Sequence, residues 1–192
     1  MKKILLVGGG GHCKSCIDVI EQQGIYEIAG IIDQANMLGK KILGYEVIGE
    51  DSDLPSLRNQ FDEAFVTVGQ IHSADLKIKL YDLLNSLQFN IPMLISPYAY
   101  VSEHAQIAQG TIVMHHALIN AGATVGENCI INSKALIEHD AIIDSHCHIS
   151  TGAIINGGVK VGEGSFIGSL ATTKQSIQVE SHSFIKAGTV LK

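Results

Sequence analysis

The residues best suited to catalysis lie in one short segment, where His139 is followed directly by Asp140. A histidine titrates near neutral pH and can therefore accept a proton from an attacking nucleophile. A neighbouring carboxylate can raise the basicity of the ring or fix its tautomer when the two side chains meet. The pair predicts general base catalysis by His139 with Asp140 as its partner, and the alternative is that His139 is an ordinary surface histidine.

Two further histidines, His146 and His148, flank Cys147. Both are predicted to point outward. His148 falls among apolar outer residues, so its ring needs a partner from a neighbouring subunit or a ligand. Together with His139 they make a zinc site conceivable, but their spacing does not clearly provide three converging ligands, and we expect no metal.

Four consecutive glycines, residues 8–11, separate a predicted strand from a predicted helix that starts at His12. Backbone amides at such a helix start can bind phosphate. The dinucleotide fingerprint is incomplete, because Cys13 occupies its last glycine position. The turn therefore favours a nucleotide-sugar over NAD, with Asp33 placed to reach a ribose or base; the alternative is a simple tight turn.

The elements that must position these residues change along the chain. Strands are predicted at residues 3–7, 27–32 and 63–68, helices at 12–23 and from 73 or 75 to 87, and one more extended piece at 89–95. This alternation is typical of a small α/β layer. We place it at residues 1–98 and a second domain at 99–192.

The second domain carries a strict six-residue repeat. Fifteen of its sixteen repeated positions are aliphatic: Val101, Ile107, Val113, Ile119, Val125, Ile131, Ile137, Ile143, Ile149, Ile155, Val161, Ile167, Thr173, Val179, Ile185 and Leu191. Small residues recur four places later. This pattern predicts a left-handed parallel β-helix of triangular section, in which three hexads form a coil and the aliphatic residues point inward. Cys129 and Cys147 are predicted to stack inside it.

The residues that precede the inward positions sort into three outer sides. One is solvated and carries Gln106, Thr124, Ile142, Lys160 and Gln178; the others carry Ile112, Ile130, His148, Phe166 and Phe184, and Leu118, Leu136, Ile154, Thr172 and Val190. Two apolar sides on one subunit suit contacts with two neighbours. We therefore expect a homotrimer.

Charge and hydropathy indicate which binding partners and which cellular compartment to expect. The net charge is −6, and the 13 basic residues are scattered, which argues against nucleic acid. The apolar run at residues 4–7 is too short for a signal peptide or a membrane span, so we expect a cytoplasmic protein with reduced cysteines. Cys13 and Cys16 are read as small residues at a helix start rather than a metal or redox pair.

Four motifs together resemble a known family. They read VGGGGH at residues 7–12, VTVGQ at 66–70, LIEHD at 136–140 and HISTGA at 148–153. The chain resembles, over nearly its whole length, the bacterial sugar O-acyltransferases of the sialic acid (NeuD) type and the PglD-like N-acetyltransferases that act on UDP-4-amino sugars. These are acetyl-CoA-dependent enzymes of surface-glycan biosynthesis.

The resemblance implies a homotrimer whose Rossmann-like first domain holds the sugar nucleotide, with acetyl-CoA in the groove between adjacent β-helices. It implies His139 as the base and Asp140 as its tuning carboxylate. It assigns nucleotide-sugar contacts to Gly10, Gly11, His12, Asp33 and Gly69, and acetyl-CoA contacts to Asn132, His148, Ser169 and Ala187. Two departures stand out. Gln34 replaces an acidic residue common in relatives, so base recognition is expected to differ. The family's Gly-x-Pro-Ala tail is not seen before Lys192, so part of the coenzyme A site is expected to be reduced.

We expect N-acetylation of a UDP-linked amino sugar of the bacillosamine or legionaminic acid type, because the glycine turn with His12 and the position of His148 resemble those enzymes more closely. O-acetylation of sialic acid is the alternative. Two hypotheses from other classes are a non-catalytic sugar-binding scaffold and a zinc-dependent β-helix carbonic anhydrase.

Overall fold

The computed structural model describes residues 1–192, and the chain divides into two compact units. The first comprises Met1–Gly69 and Asp75–Pro92, and the second comprises Gln70–Ala74 and Met93–Lys192. None of the helices has the length and apolar character needed to cross a membrane.

The first unit is a five-stranded sheet with helices. Its elements are β1 (Lys2–Val7), α1 (Gly11–Gln23), β2 (Tyr26–Ile32), a 3-10 turn (Ala35–Met37), β3 (Lys41–Ile42), β4 (Tyr45–Gly49), a second 3-10 turn (Asp51–Asp53), α2 (Leu54–Leu57), β5 (Glu63–Val66) and α3 (Asp75–Ser86). The strand order is β3-β4-β2-β1-β5, and only the edge pair β3–β4 is antiparallel. The predicted strands and helices are present, whereas the β3–β4 hairpin had no counterpart in the sequence reading.

The core of this unit follows from the apolar runs of its central strands. Ile4, Leu5 and Leu6 of β1 are fully buried, as expected for a strand covered on both faces of a parallel sheet. Helix α1 buries Cys13 and Cys16 along one face, so these cysteines pack as core residues. The carboxyl ends of β1, β2 and β5 meet at the edge where α1 begins, which is where ligands bind in open α/β sheets.

The second unit is a parallel β-helix made of two-residue strands. They are β6 (Leu94–Ile95), β7 (Tyr100–Val101), β8 (Gln106–Ile107), β9 (Ile112–Val113), β10 (Leu118–Ile119), β11 (Thr124–Val125), β12 (Ile130–Ile131), β13 (Leu136–Ile137), β14 (Ile142–Ile143), β15 (His148–Ile149), β16 (Ile154–Ile155), β17 (Lys160–Val161), β18 (Phe166–Ile167), β19 (Thr172–Thr173), β20 (Gln178–Val179), β21 (Phe184–Ile185) and β22 (Val190–Leu191).

These strands stack into three sheets of six, five and six strands, and they form the three sides of the prism. Each strand pairs with the strand one coil away, for example Leu118 with Leu136 and Ile119 with Ile137. The predicted inward residues form one continuous apolar core. Thr173, the only polar member of the repeat, is buried and accepts a hydrogen bond from the backbone N–H of Asn156. The helix begins one strand earlier than the repeat indicated, at β6, which pairs with β9.

One of the two apolar outer sides is not the open surface that the sequence pattern suggested. Ile112 and Ile130 are buried, and only 7% of His148 is exposed. Residues 70–74 belong to the second unit and lie on this side, where the Gln70 side chain donates hydrogen bonds to backbone carbonyls of the helix. The outer side that carries Leu118, Leu136 and Ile154 remains half-exposed.

Candidate active site

His139 and Asp140 form a hydrogen-bonded pair at one corner of the β-helix. This corner, which we call the dyad corner, comprises residues 138–140 between β13 and β14. His139 Nδ1 lies 2.9 Å from Asp140 Oδ2, and 54% of the His139 side chain is exposed. Because a carboxylate only accepts hydrogen bonds, Nδ1 carries the proton. Nε2 is then the nitrogen that can accept another proton.

The backbone of the corner turns Asp140 toward His139. Asp140 has a φ of 59°, in the left-handed region, and residues at the corresponding position of several other coils share this conformation. Asp140 Oδ1 lies over Gly122, one coil earlier, at a place that a Cβ atom there would occupy. The positive φ is therefore a property of this corner on several coils. The close contact of Asp140 Oδ1 with the preceding coil is possible because residue 122 has no side chain.

A second carboxylate, Glu138, directly precedes His139 in the dyad corner. Glu138 Oε2 accepts a hydrogen bond from Asn120 Nδ2 at 2.9 Å, and Asn120 lies one coil earlier. The same oxygen accepts the backbone N–H of His139 at 3.4 Å. The sequence reading gave Glu138 no role of its own, although it occurs in the LIEHD motif. Glu138 therefore contacts the backbone of the dyad corner, whereas Asp140 contacts the imidazole ring itself.

His148 has different surroundings, and the expectation that its partner comes from a neighbour or a ligand is wrong. Its Nδ1 donates to the Gln70 backbone carbonyl at 2.5 Å, and its Nε2 lies 3.1 Å from Asn132 Nδ2. Asn132 Oδ1 accepts the backbone N–H of Ser133 at 2.8 Å, so its amide nitrogen faces the ring. Both ring nitrogens of His148 are therefore engaged within the second unit, and its ring packs edge-on against Phe166.

The residues predicted to contact acetyl-CoA gather at a second corner, which we call the serine corner. Asn132 lies there, and Ser169 and Ala187 follow on later coils of the same edge. Ser169 Oγ lies 3.0 Å from Ser150 Oγ, and the backbone N–H of Gly188 donates to the Ser169 carbonyl. Ala187 is exposed. The serine corner and the dyad corner bound the same half-exposed side of the prism, about six residues or roughly 20 Å of strand apart, so one chain does not bring these two sets together.

The glycine turn of the first unit is open toward solvent at the start of α1. Gly10 and Gly11 are exposed, and added Cβ atoms would meet nothing within 4 Å. No side chain caps this helix end, so its first amides are available to an anion. His12 packs close to Gly69, where a Cβ would lie 3.3 Å from His12 Cβ. Four of the five predicted nucleotide-sugar residues thus lie close to the start of α1.

Asp33, the fifth, supports the turn from the end of β2. Its Oδ2 accepts the backbone N–H of Gly9 at 2.8 Å, and its Oδ1 accepts that of Gln34 at 2.7 Å. Asp33 also lines a cleft of about 350 Å³ within the first unit, together with Gly8, Glu50, Asp51 and Ser52. The last three were not anticipated. Their signal was their position directly after β4, at the carboxyl edge of the sheet.

The cysteines are not arranged for chemistry. All four are buried free thiols. Burial raises the pKa of the Cys16 thiol, and a hydrogen bond with Cys129 together with burial raises the pKa of the Cys147 thiol. No group of three His, Cys, Asp or Glu side chains in the chain could hold a metal ion.

The chain is similar to a known protein family and to several solved structures. The family model of the PglD N-terminal domain matches residues 3–75. The N-acetyltransferase PerB of Caulobacter crescentus, solved with CoA and GDP-perosamine, is 31% identical with a TM-score of 0.93, and the match covers 100% of this chain and 89% of that one. The acetyltransferase domain of PglB from Neisseria gonorrhoeae is 32% identical with a TM-score of 0.90 and coverage of 100% and 92%.

Two further matches add detail. The Neisseria domain has also been solved in complex with acetyl coenzyme A. That structure is 30% identical to this chain with a TM-score of 0.89, and the match covers 99% of this chain and 92% of the Neisseria chain. An uncharacterised protein of Acanthamoeba polyphaga mimivirus is 32% identical over 110 residues, and the chain spans 21% of that protein's length.

Identity above 30% extends over nearly the full length of both the Caulobacter and the Neisseria proteins. The same two structures match the fold from the mixed sheet of the first unit to the last coil of the helix. The chain therefore belongs to the PglD-like family of acetyl-CoA-dependent sugar acetyltransferases, in which a Rossmann-like domain precedes a left-handed β-helix.

Proposed function

We propose that the protein transfers the acetyl group of acetyl-CoA to the amino group of a nucleotide-linked amino sugar, with His139 as the general base. The observation that carries the proposal is the His139–Asp140 pair, which fixes the proton on Nδ1 and leaves Nε2 to accept one. The relatives of known structure that bind CoA or acetyl-CoA support the same co-substrate.

The proposed reaction is a direct transfer. The amine nitrogen attacks the thioester carbonyl carbon, the new C–N bond forms, and the proton of the amine passes to His139 Nε2. The C–S bond then breaks, and coenzyme A leaves as its thiol after taking up one proton. Backbone amides stabilise the oxyanion that forms on the way. No cysteine takes part, since all four thiols are buried.

The separation of the two corners supports a homotrimer. His139 lies at one edge of the half-exposed side, and the residues assigned to acetyl-CoA, Asn132, Ser169 and Ala187, lie at the other. A neighbouring helix packed on this side brings its own serine corner next to the dyad corner, with acetyl-CoA in the groove between them. His148 then supports Asn132 and stands close to the thioester. Light scattering that finds a monomer under assay conditions contradicts this arrangement.

The first unit, within our assigned domain 1–98, is proposed to bind the nucleotide part of the acceptor. The exposed first turn of α1 at Gly10 and Gly11 suits the diphosphate, with His12 and Gly69 beside it. The cleft at Asp33 suits the ribose and base. A UDP-linked 4-amino sugar is our first candidate, because the PglD N-terminal domain model matches residues 3–75 and the chain resembles enzymes that act on such sugars.

A GDP-linked amino sugar is the second candidate. Asp33, Glu50 and Asp51 all line the cleft, and carboxylates accept hydrogen bonds from base N–H groups. Guanine presents adjacent N–H donors, whereas uracil presents one. The relative that binds GDP-perosamine shares 31% identity with this chain.

Release of coenzyme A thiol tests the proposal. The purified protein is mixed with acetyl-CoA and, in separate reactions, UDP- and GDP-linked amino sugars, the matching hydroxyl sugars, and sialic acid. We expect turnover only with an amino sugar nucleotide. Turnover with sialic acid alone would contradict N-acetylation, and a thermal shift without turnover for any acceptor would favour the sugar-binding scaffold.

A further inference from the structure

On the coils before and after the dyad corner, the two positions that match His139 and Asp140 carry almost no side chain. One coil before His139–Asp140 the chain has Ala121–Gly122, and one coil after it has Gly157–Gly158. Further out, Glu103–His104 and Gln175–Ser176 restore ordinary polar side chains. At the positions matching the His139–Asp140 pair, the adjoining coils therefore present only the methyl group of Ala121.

Gly158 and Gly157 have different reasons to be glycine. Residues at the same position of successive coils form a column along the edge of the prism. Gly158 has a φ of 67°, and its neighbours in this column, Asp140 and Ser176, also have positive φ. A positive φ favours glycine, so the backbone alone accounts for Gly158, although Asp140 and Ser176 adopt the same conformation. Gly157 has no such φ, and its column holds Ala121 and Gln175 on other coils, so the backbone there tolerates a side chain.

Space explains Gly157 instead. A Cβ atom on residue 157 would lie 2.6 Å from His139 Nε2 and 2.7 Å from His139 Cε1. Gly157 is buried beneath the ring, whereas the ring itself is more than half exposed. Ordinary contact distances are about 3.5–4.0 Å, so an added methyl group would push the ring edge by about 1 Å.

We infer that Gly157 is a positioning residue, which keeps vacant the place that His139 Nε2 must occupy while Nδ1 stays bonded to Asp140. The inference rests on the proposed role of His139 as the base. An imidazole pushed off Gly157 cannot keep both its Nε2 position and its Asp140 hydrogen bond, because both nitrogens belong to one rigid ring. The displaced atoms are the far end of a side chain, so the fold itself adapts at little cost.

The test compares Gly157→Ala with Gln175→Ala, a control in the same column that lies outside the site. We expect Gly157→Ala to lower kcat by about 10²-fold, with KM values and the melting temperature close to wild type. Histidine ring NMR signals, assigned with His139→Ala, should show the His139 resonance shifted in Gly157→Ala. Gln175→Ala should leave kcat and that resonance unchanged.

A wild-type kcat for Gly157→Ala, while His139→Ala is inactive, overturns the inference and leaves the proposed function intact. Full turnover by His139→Ala overturns the proposed function instead. If Gly157→Ala lowers the melting temperature, the double variant His139→Ala/Gly157→Ala decides the cause. Restored stability in the double variant supports a clash with His139, and unrestored stability assigns Gly157 a backbone role and overturns the inference.

Discussion

His139 and His148 lie nine residues apart in the sequence, and the fold gives them opposite surroundings. The His139 side chain is 54% exposed and has one ring nitrogen bonded to Asp140. His148 is 7% exposed and has both nitrogens bonded, one to Gln70 and one to Asn132. A base needs access and a nitrogen to receive a proton, so we propose proton transfer for His139 and support of the neighbouring structure for His148.

The largest effect that the comparison predicts is loss of turnover in His139→Ala. Removal of a positioned general base typically lowers the rate by about 10²- to 10⁴-fold. Steady-state release of coenzyme A measures kcat, and calorimetry checks that acetyl-CoA still binds. His104→Ala, at an exposed histidine of the same edge, serves as the control. Full turnover by His139→Ala would remove His139 from the mechanism.

A smaller effect is expected for Asp140→Asn. The amide keeps the shape of the carboxylate, but its N–H group can face Nδ1 and favour the tautomer with the proton on Nε2, which then cannot accept another. Loss of such a supporting partner typically costs roughly 10- to 100-fold in activity, which should appear in kcat. Glu103→Gln is the matched control. An unchanged kcat would show that Asp140 does not select the tautomer.

For His148→Phe we expect mainly a loss of stability, in contrast to the loss of turnover in His139→Ala. The substitution keeps an aromatic ring beside Phe166 but removes both hydrogen bonds. Buried polar groups left without partners cost about 1–3 kcal/mol each, so the free energy of unfolding should fall by that order. Denaturant unfolding measures it, with His182→Phe as an exposed control. If His148 also stands near the thioester, the KM for acetyl-CoA rises while kcat changes less. Unchanged stability would contradict the buried, bonded ring.

The smallest effect is expected when the folded protein is treated with a thiol reagent. The thiols, like His148, are buried, and burial should limit their reactivity. The pKa values of Cys13, Cys16 and Cys147 are raised, chiefly by burial in the first two and by the Cys129 hydrogen bond in the third. A raised pKa keeps the thiol protonated at neutral pH, and only the thiolate reacts. The folded protein should therefore react slowly with a thiol-specific dye, and all four cysteines should react in denaturant. Fast labelling of the folded protein would contradict this account.

The repeat predicted the β-helix because a strict period of six has few structural solutions, and it named the inward residues because each hexad is a copy of the next. The dyad was predicted because its two members are adjacent. The partner of His148 was not predictable in this way, since Gln70 lies 78 residues away and no local pattern connects them. Glu50 and Asp51 were missed because a short strand pair with weak alternation precedes them.

Gly157 illustrates a further limit. A glycine among hexad turns reads as a requirement of the backbone, and only the position of the His139 ring reveals a requirement for space. The hexad register does place residue 157 one coil above residue 139. A search of each column above and below a candidate base for missing side chains would have found it.

The most direct test is a crystal structure with coenzyme A and a nucleotide-linked amino sugar bound together. The account predicts the sugar amine within about 2.6–3.2 Å of His139 Nε2, with Nδ1 still on Asp140. An amine held against another side chain, with His139 beyond hydrogen-bonding reach, would contradict it.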